Sequence, residues 1–169
     1  MSYSQFIQQE SLALLNSLTD DAIPRWGLMQ AQHMVEHLGM FFRLSQKPMP
    51  LSSRPPEYLE KSRAFLFSNQ PFPLNVKIPH LMEPEVLPPF RYTSLNIAKN
   101  KLRGQIEAFY RKFEDEPNFK NSHPIFGELD FEGWQVFHYK HVRHHLAQFD
   151  LIDAPEYAPL IEAHTQKIS

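Results

Sequence analysis

The chain has no cysteine among its 169 residues. Disulfides, thiolate metal ligands and a cysteine nucleophile are thereby excluded. Net charge is nearly absent too: 17 Lys and Arg stand against 19 Asp and Glu, a formal charge of -2. Such a balance offers no basic field for nucleic acid and no polybasic surface for a membrane, so neither partner is expected. No apolar run approaches the ~20 residues that span a bilayer. The first residues lack the basic and apolar regions of a signal peptide, and a cytoplasmic location is the expectation. Any metal here must be held by His, Asp or Glu.

What the chain does have is histidine, nine in all. Three crowd the segment His141-Val142-Arg143-His144-His145-Leu146-Ala147-Gln148. His141 and His145 stand four residues apart, so on a helix their imidazoles project from one face, one turn above the other. That spacing offers two nitrogen ligands to one ion. A second pair with the same spacing, His33 and His37, lies about a hundred residues earlier. Two distant helices thus carry the parts of a three- or four-histidine metal site.

The simplest organisation for this length is one domain with a substantial core. Helical periodicity marks four stretches. From Tyr3 to Leu18 the apolar positions are Phe6, Ile7, Leu14, Leu15 and Leu18, opened by a Ser2/Gln5 capping box and closed before Pro24. From Trp26 to Leu44 the stripe is Trp26, Met29, His33, His37, Met40, Phe41 and Leu44. From Leu95 to Phe113 it is Leu95, Leu102, Ile106, Phe109 and Phe113. The last stretch, Phe131 to Asp150, follows Asp130 as N-cap. Its inward face would hold Phe131, Trp134, His138, His141, His145 and Phe149, with Lys140, Arg143 and Ala147 on the far side. The fold class expected is all-α, with histidines where an ordinary bundle carries leucine.

Residues 46–92 differ in kind. Pro48, Pro50, Pro55, Pro56, Pro71, Pro73, Pro79, Pro84, Pro88 and Pro89 interrupt them, and only Glu57 to Phe67 reads as a short helix. So long a connection suggests a cover over a site. Phe65, Phe67, Phe72, Leu74, Val76, Ile78, Leu81, Leu87 and Phe90 argue that it packs on something. His123-Pro124-Ile125-Phe126-Gly127-Glu128-Leu129 reads as a tight connection into the last helix, with Gly127 at an awkward dihedral and Phe126 packed.

Among the histidines, His37 is the best third ligand beside His141 and His145, with His33 its competitor. His138 would line the pocket, and either it or His33 would help move a proton. His144 falls about 60° from His141 on a helical wheel and should be partly exposed. Glu36 completes His33-Met34-Val35-Glu36-His37, an inverted zinc-protease pattern, though no downstream helix supplies the remaining glutamate. It could serve as a base or hold a ligand imidazole. Gln148 could bond a ligand imidazole, a metal-bound water or a loop carbonyl. Trp134 and Met40 complete the expected pocket lining.

Several of these residues together form a pattern. Trp26-Gly27-x-Met29, Gln32-x-Met34-x-x-His37, His123-Pro124-x-Phe126-Gly127-x-Leu129, Trp134 and His141-x-x-His144-His145-x-x-Gln148-Phe149 resemble the DinB/YfiT-like superfamily. The match runs from Trp26 to Phe149 and is weakest in the Pro-rich insertion. The resemblance implies a DinB-like four-helix bundle, commonly a homodimer, with that insertion between the second and third core helices. It implies a divalent metal held by His37, His141 and His145. It further implies a metal-dependent enzyme using a low-molecular-weight thiol, such as an S-transferase or a maleylpyruvate isomerase.

Three neutral imidazoles leave open positions on Zn, Ni, Fe or Cu, as catalytic sites do. The first expectation is therefore a transferase or hydrolase for a small molecule. A non-enzymatic metal-binding bundle, a stress or sensor protein, is the second. An interaction module with inert histidines is the third.

Overall fold

A computed structural model describes residues 1–75 and 87–168. The protein is mostly helical, with one small two-stranded sheet. Helix α1 opens at Ser2, whose hydroxyl accepts from the Gln5 N–H at 3.2 Å while the Ser2 N–H donates to the Gln5 side chain. It runs as α-helix over Tyr3–Gln5, widens to π geometry over Phe6–Glu10 and resumes as α-helix over Ser11–Asn16.

Helix α2 spans Ala31–Leu44, so Trp26 and Met29 lie before it and not on its stripe. Gly27, at φ 79°, turns the chain ahead of the helix. The fully buried face of α2 is Ala31, Gln32, Met34, Val35, Leu38, Phe41 and Phe42. His33, His37, Met40 and Leu44 lie on its half-buried flank. Of the expected stripe, Phe41 alone lies in the buried face of the helix, and its other helical members form that face's border. Its centre packs on α4, the most extensive helix pair of the fold.

Helix α3, Pro56–Leu66, starts with proline at the position where a missing N–H costs nothing. The expected insertion helix is present, one residue earlier at each end. Around it the described part of the insertion has neither helix nor strand. Val76, Ile78 and Leu81, expected to pack in this segment, lie outside the described residues. Phe65, Phe72 and Leu74 pack inward, whereas Phe67, Leu87 and Phe90 are exposed.

Helix α4, Leu95–Asp115, is capped by Ser94, which accepts from the Ile97 N–H. All five positions of its expected stripe are buried. Strands β1 (Asn121–His123) and β2 (Gly127–Leu129) form an antiparallel hairpin, with His123 opposite Gly127. Gly127 takes φ 71°, and Phe126 is buried. Helix α5, Phe131–Gln148, is capped by Asp130 on the Gly133 N–H at 3.0 Å. The chain ends in α6, Ala158–Ile168, after a 3-10 turn at Pro155–Tyr157.

Helix α5 touches α1, α2, α3 and β2. Thirteen of its 18 residues are buried, so it has no solvent face in its middle. That corrects the expected orientation. Ala147 is fully buried beside Trp26 and Tyr157. Lys140 lies against the end of α3, donating to the carbonyls of Phe65, Leu66 and Ser68 at 3.0, 3.1 and 3.1 Å. The bond to Leu66 satisfies a carbonyl of the helix's last turn, while the Phe65 carbonyl also accepts from Ser68. Burial lowers the Lys140 pKa to about 8.

The long α2/α4 interface and the rings around α5 hold the fold together. Each fully buried Leu, Ile or Phe adds about 1.5–3 kcal/mol. One polar side chain at the margin of this core therefore contributes little to the total. Among the described residues no helix is long and apolar enough to cross a membrane.

Candidate metal centre

Helices α2 and α5 bring His37, His141 and His145 together. The Nε2 atoms of His37 and His141 lie 2.9 Å apart, and those of His145 and His141 3.1 Å apart. The three ring centroids are 4.8, 4.9 and 4.8 Å from one another. One ligand nitrogen from each residue lies within 4.8 Å of the others. On one tetrahedral ion, nitrogens at 2.0–2.1 Å from the metal are about 3.3 Å apart. The two short edges of the triangle are close to that spacing, so these residues could hold a metal ion.

Protonation state agrees with that fit. Burial first, and the neighbouring imidazoles second, hold His37 and His141 well below the usual histidine range. Burial brings His145 down to about 4. All three are therefore neutral at pH 7, as metal-ligating imidazoles must be.

The His145 ring is oriented from behind. Its Nδ1 lies 2.8 Å from the Gln148 Oε1, and the Gln148 amide donates to the Trp26 carbonyl at 2.8 Å. Since Oε1 can only accept, Nδ1 carries the proton and Nε2 presents its lone pair to the cluster. Phe41, Phe137 and Phe72 stand around His141, at 4.9, 5.1 and 6.5 Å between ring centroids. His141 Nδ1 is buried without a hydrogen-bond partner. His37, half-buried, is the most exposed of the three.

The other candidate residues have different attachments. His33 bonds the Pro88 carbonyl at 2.9 Å and lies against Phe90, away from the cluster. Glu36 accepts from the Gln32 amide and from the backbone N–H groups of Arg91 and Tyr92, at 2.9, 2.8 and 3.0 Å. Its carboxylate pins the returning end of the insertion to α2 and is not free to act as a base. His138 is fully buried, stacked on Phe42 at 3.8 Å, with Nε2 3.0 Å from Ser45 Oγ. Ser45 donates to the Phe42 carbonyl, so it accepts from His138. Trp134 packs on His123 and His138 in the core. Met40 is half-buried at the core margin.

His144 departs most from its expected place. It is 8% exposed and packs edge-on with the rings of Trp26 and Tyr157, at 5.3 and 5.4 Å between centroids. Helix spacing put it off the seam, but the insertion and the C-terminal turn cover that side. Burial lowers its pKa to about 3. Lys140, Tyr157 and the Trp26 carbonyl were not foreseen as supports of this region. Only Trp26 had a local signal, in the Trp-Gly pair.

No known family model, curated protein or solved structure matches this chain.

Proposed function

We propose that this protein binds one divalent transition metal through His37, His141 and His145 and acts with it on a small molecule. The observation that carries the reading is the convergence of three Nε2 atoms, all neutral, in an aromatic enclosure. A bound divalent ion supplies Lewis acidity, lowering the pKa of a coordinated water or thiol toward neutrality. The chain's own contribution is to hold three imidazoles neutral, fix the His145 tautomer and exclude water from the side lined by Phe41, Phe72 and Phe137.

The helices and the order of the ligands, one on α2 and two on α5, support a further proposal. The chain is a DinB-like four-helix bundle, a homodimer, acting as a thiol S-transferase or a hydrolase. One observation favours a second reading, a metal-binding protein without enzymatic activity. His33, Glu36 and His138 are each engaged elsewhere, which leaves none of the three proton-transfer candidates free at the cluster.

Metal content of the untagged, dialysed protein, measured by elemental mass spectrometry, tests the core of this proposal. About one equivalent of Zn, Ni or Fe per chain is expected. His141→Ala and His145→Ala should lose it, whereas His144→Ala should keep it. An absence of metal in the wild type, even after incubation with Zn or Ni, would leave the histidines as core polar residues. Metal retained by both ligand variants would place the ion elsewhere. Thiol-transfer and hydrolase assays on the loaded protein then separate the two readings.

A further inference from the structure

The Trp26-Gly27 pair lies outside every helix, yet its backbone is fastened to the last residue of α5. The Arg25 N–H donates to the Gln148 carbonyl at 2.7 Å, and the Gln148 side-chain amide donates to the Trp26 carbonyl at 2.8 Å. The Trp26 ring is held independently, stacked on Tyr157 at 5.6 Å and edge-on to His144 at 5.3 Å. Gly27 has φ 79°, and a Cβ there would meet Gln148 Nε2 at 3.1 Å and Asn75 Oδ1 at 3.3 Å. Only glycine accepts both that dihedral and that approach without disturbing the amide.

We infer that the Trp26-Gly27 turn is a positioning element of the metal centre, acting through Gln148 to select the tautomer of His145; this rests on the metal site proposed above. A carbonyl oxygen only accepts, so the Trp26 carbonyl draws the NH2 end of the Gln148 amide toward itself. The Oε1 end is then turned to His145 Nδ1, 2.8 Å away. An acceptor at that place retains the proton on Nδ1 and frees Nε2 as the ligand atom. Without the turn the amide can rotate, its NH2 can face His145, and the proton moves to Nε2. His145 then points a hydrogen at His141 Nε2, 3.1 Å away, and its lone pair is lost to the ion. Gln148 meets His145 at Nδ1, the nitrogen that does not face the ion, so the role of Trp26, Gly27 and Gln148 is positioning.

Two measurements decide this. Imidazole 15N–1H correlation spectra of the metal-free protein report the tautomer directly and require no bound ion. His145 is expected as Nδ1–H in the wild type, with a shift toward Nε2–H in Gln148→Leu and Gly27→Ala. Zinc affinity, from competition with a chromogenic chelator, should fall about 10–100-fold in Gln148→Leu and about tenfold in Gly27→Ala, the scale for loss of a ligand's outer hydrogen bond. A wild-type His145 in the Nε2–H form overturns the inference. So does an unchanged tautomer in Gly27→Ala, or Gln148→Leu binding zinc as the wild type does while His145→Ala loses it. If His145→Ala itself binds zinc normally, the metal site is wrong, and the metal-free spectra still judge the turn. Gly27→Ala and the wild-type spectrum suffice should Gln148→Leu fail to fold.

Discussion

Two trios of histidines lie in this molecule, and both are neutral for the same first cause, burial. His37, His141 and His145 converge on one another. His123, His138 and His144 are just as deeply set, but each is engaged by different neighbours. His123 Nδ1 accepts from the N–H groups of Ile125 and Phe126 at 3.1 and 3.3 Å. His138 donates to Ser45, and His144 packs edge-on with Trp26 and Tyr157. Burial and depressed basicity therefore do not distinguish a ligand from a structural residue. The direction of the free lone pair does.

Acid should destabilise the fold through both trios, and the core residues His123 and His138 show how. His123, lowered to about 3, and His138, lowered well below the usual range, stay neutral in the fold. An unfolded chain protonates them near pH 6.5, so it binds more protons than the native state below that pH. Stability is accordingly complete above 6.5 and is lost as pH falls. Each group removes about 1.4 kcal/mol per pH unit once the pH is well below 6.5. Urea midpoints between pH 7 and 4.5 should drop steeply. A flat profile would mean that these imidazoles are charged or solvated in the native state.

Truncation sharpens the contrast. His138→Ala removes a ring stacked on Phe42 and leaves Ser45 without its donor, a loss of about 3 kcal/mol by analogy with large-to-small core changes. Its folded fraction should bind zinc as the wild type does. Destabilisation below about 1 kcal/mol would show that the ring is not integral to the core. His37→Ala should do the opposite. It sits on the half-buried flank of α2, and the metal-free variant should melt within a few degrees of the wild type, about 1 kcal/mol or less. Zinc affinity should nevertheless fall more than a hundredfold, as loss of one ligand implies. Equal zinc affinity in His37→Ala and His138→Ala would erase the distinction between the trios.

The periodicities of α4 and α5 and the caps at Ser2 and Asp130 were legible because they depend on residues within one or two turns. So was the short insertion helix, and so was the i,i+4 pair on α5, since helix geometry alone puts His141 and His145 on one side. His37 was a choice between two residues one turn apart. Its selection over His33 depended on where the Pro88 carbonyl and Phe90 come to lie, which no local pattern encodes.

The sequence by itself therefore determined the four long helices and the short insertion helix, the absence of any cysteine thiol and the supply of histidines on two of those helices. Tertiary structure alone decided which imidazoles face each other and which are absorbed into packing. Lys140 and His144 were expected at or near solvent and are buried, because α3 and the C-terminal turn cover sides of α5 that its own spacing leaves open. Local order follows from steric and hydrogen-bonding rules within a few residues. The direction of a lone pair depends on what the rest of the chain places against the ring.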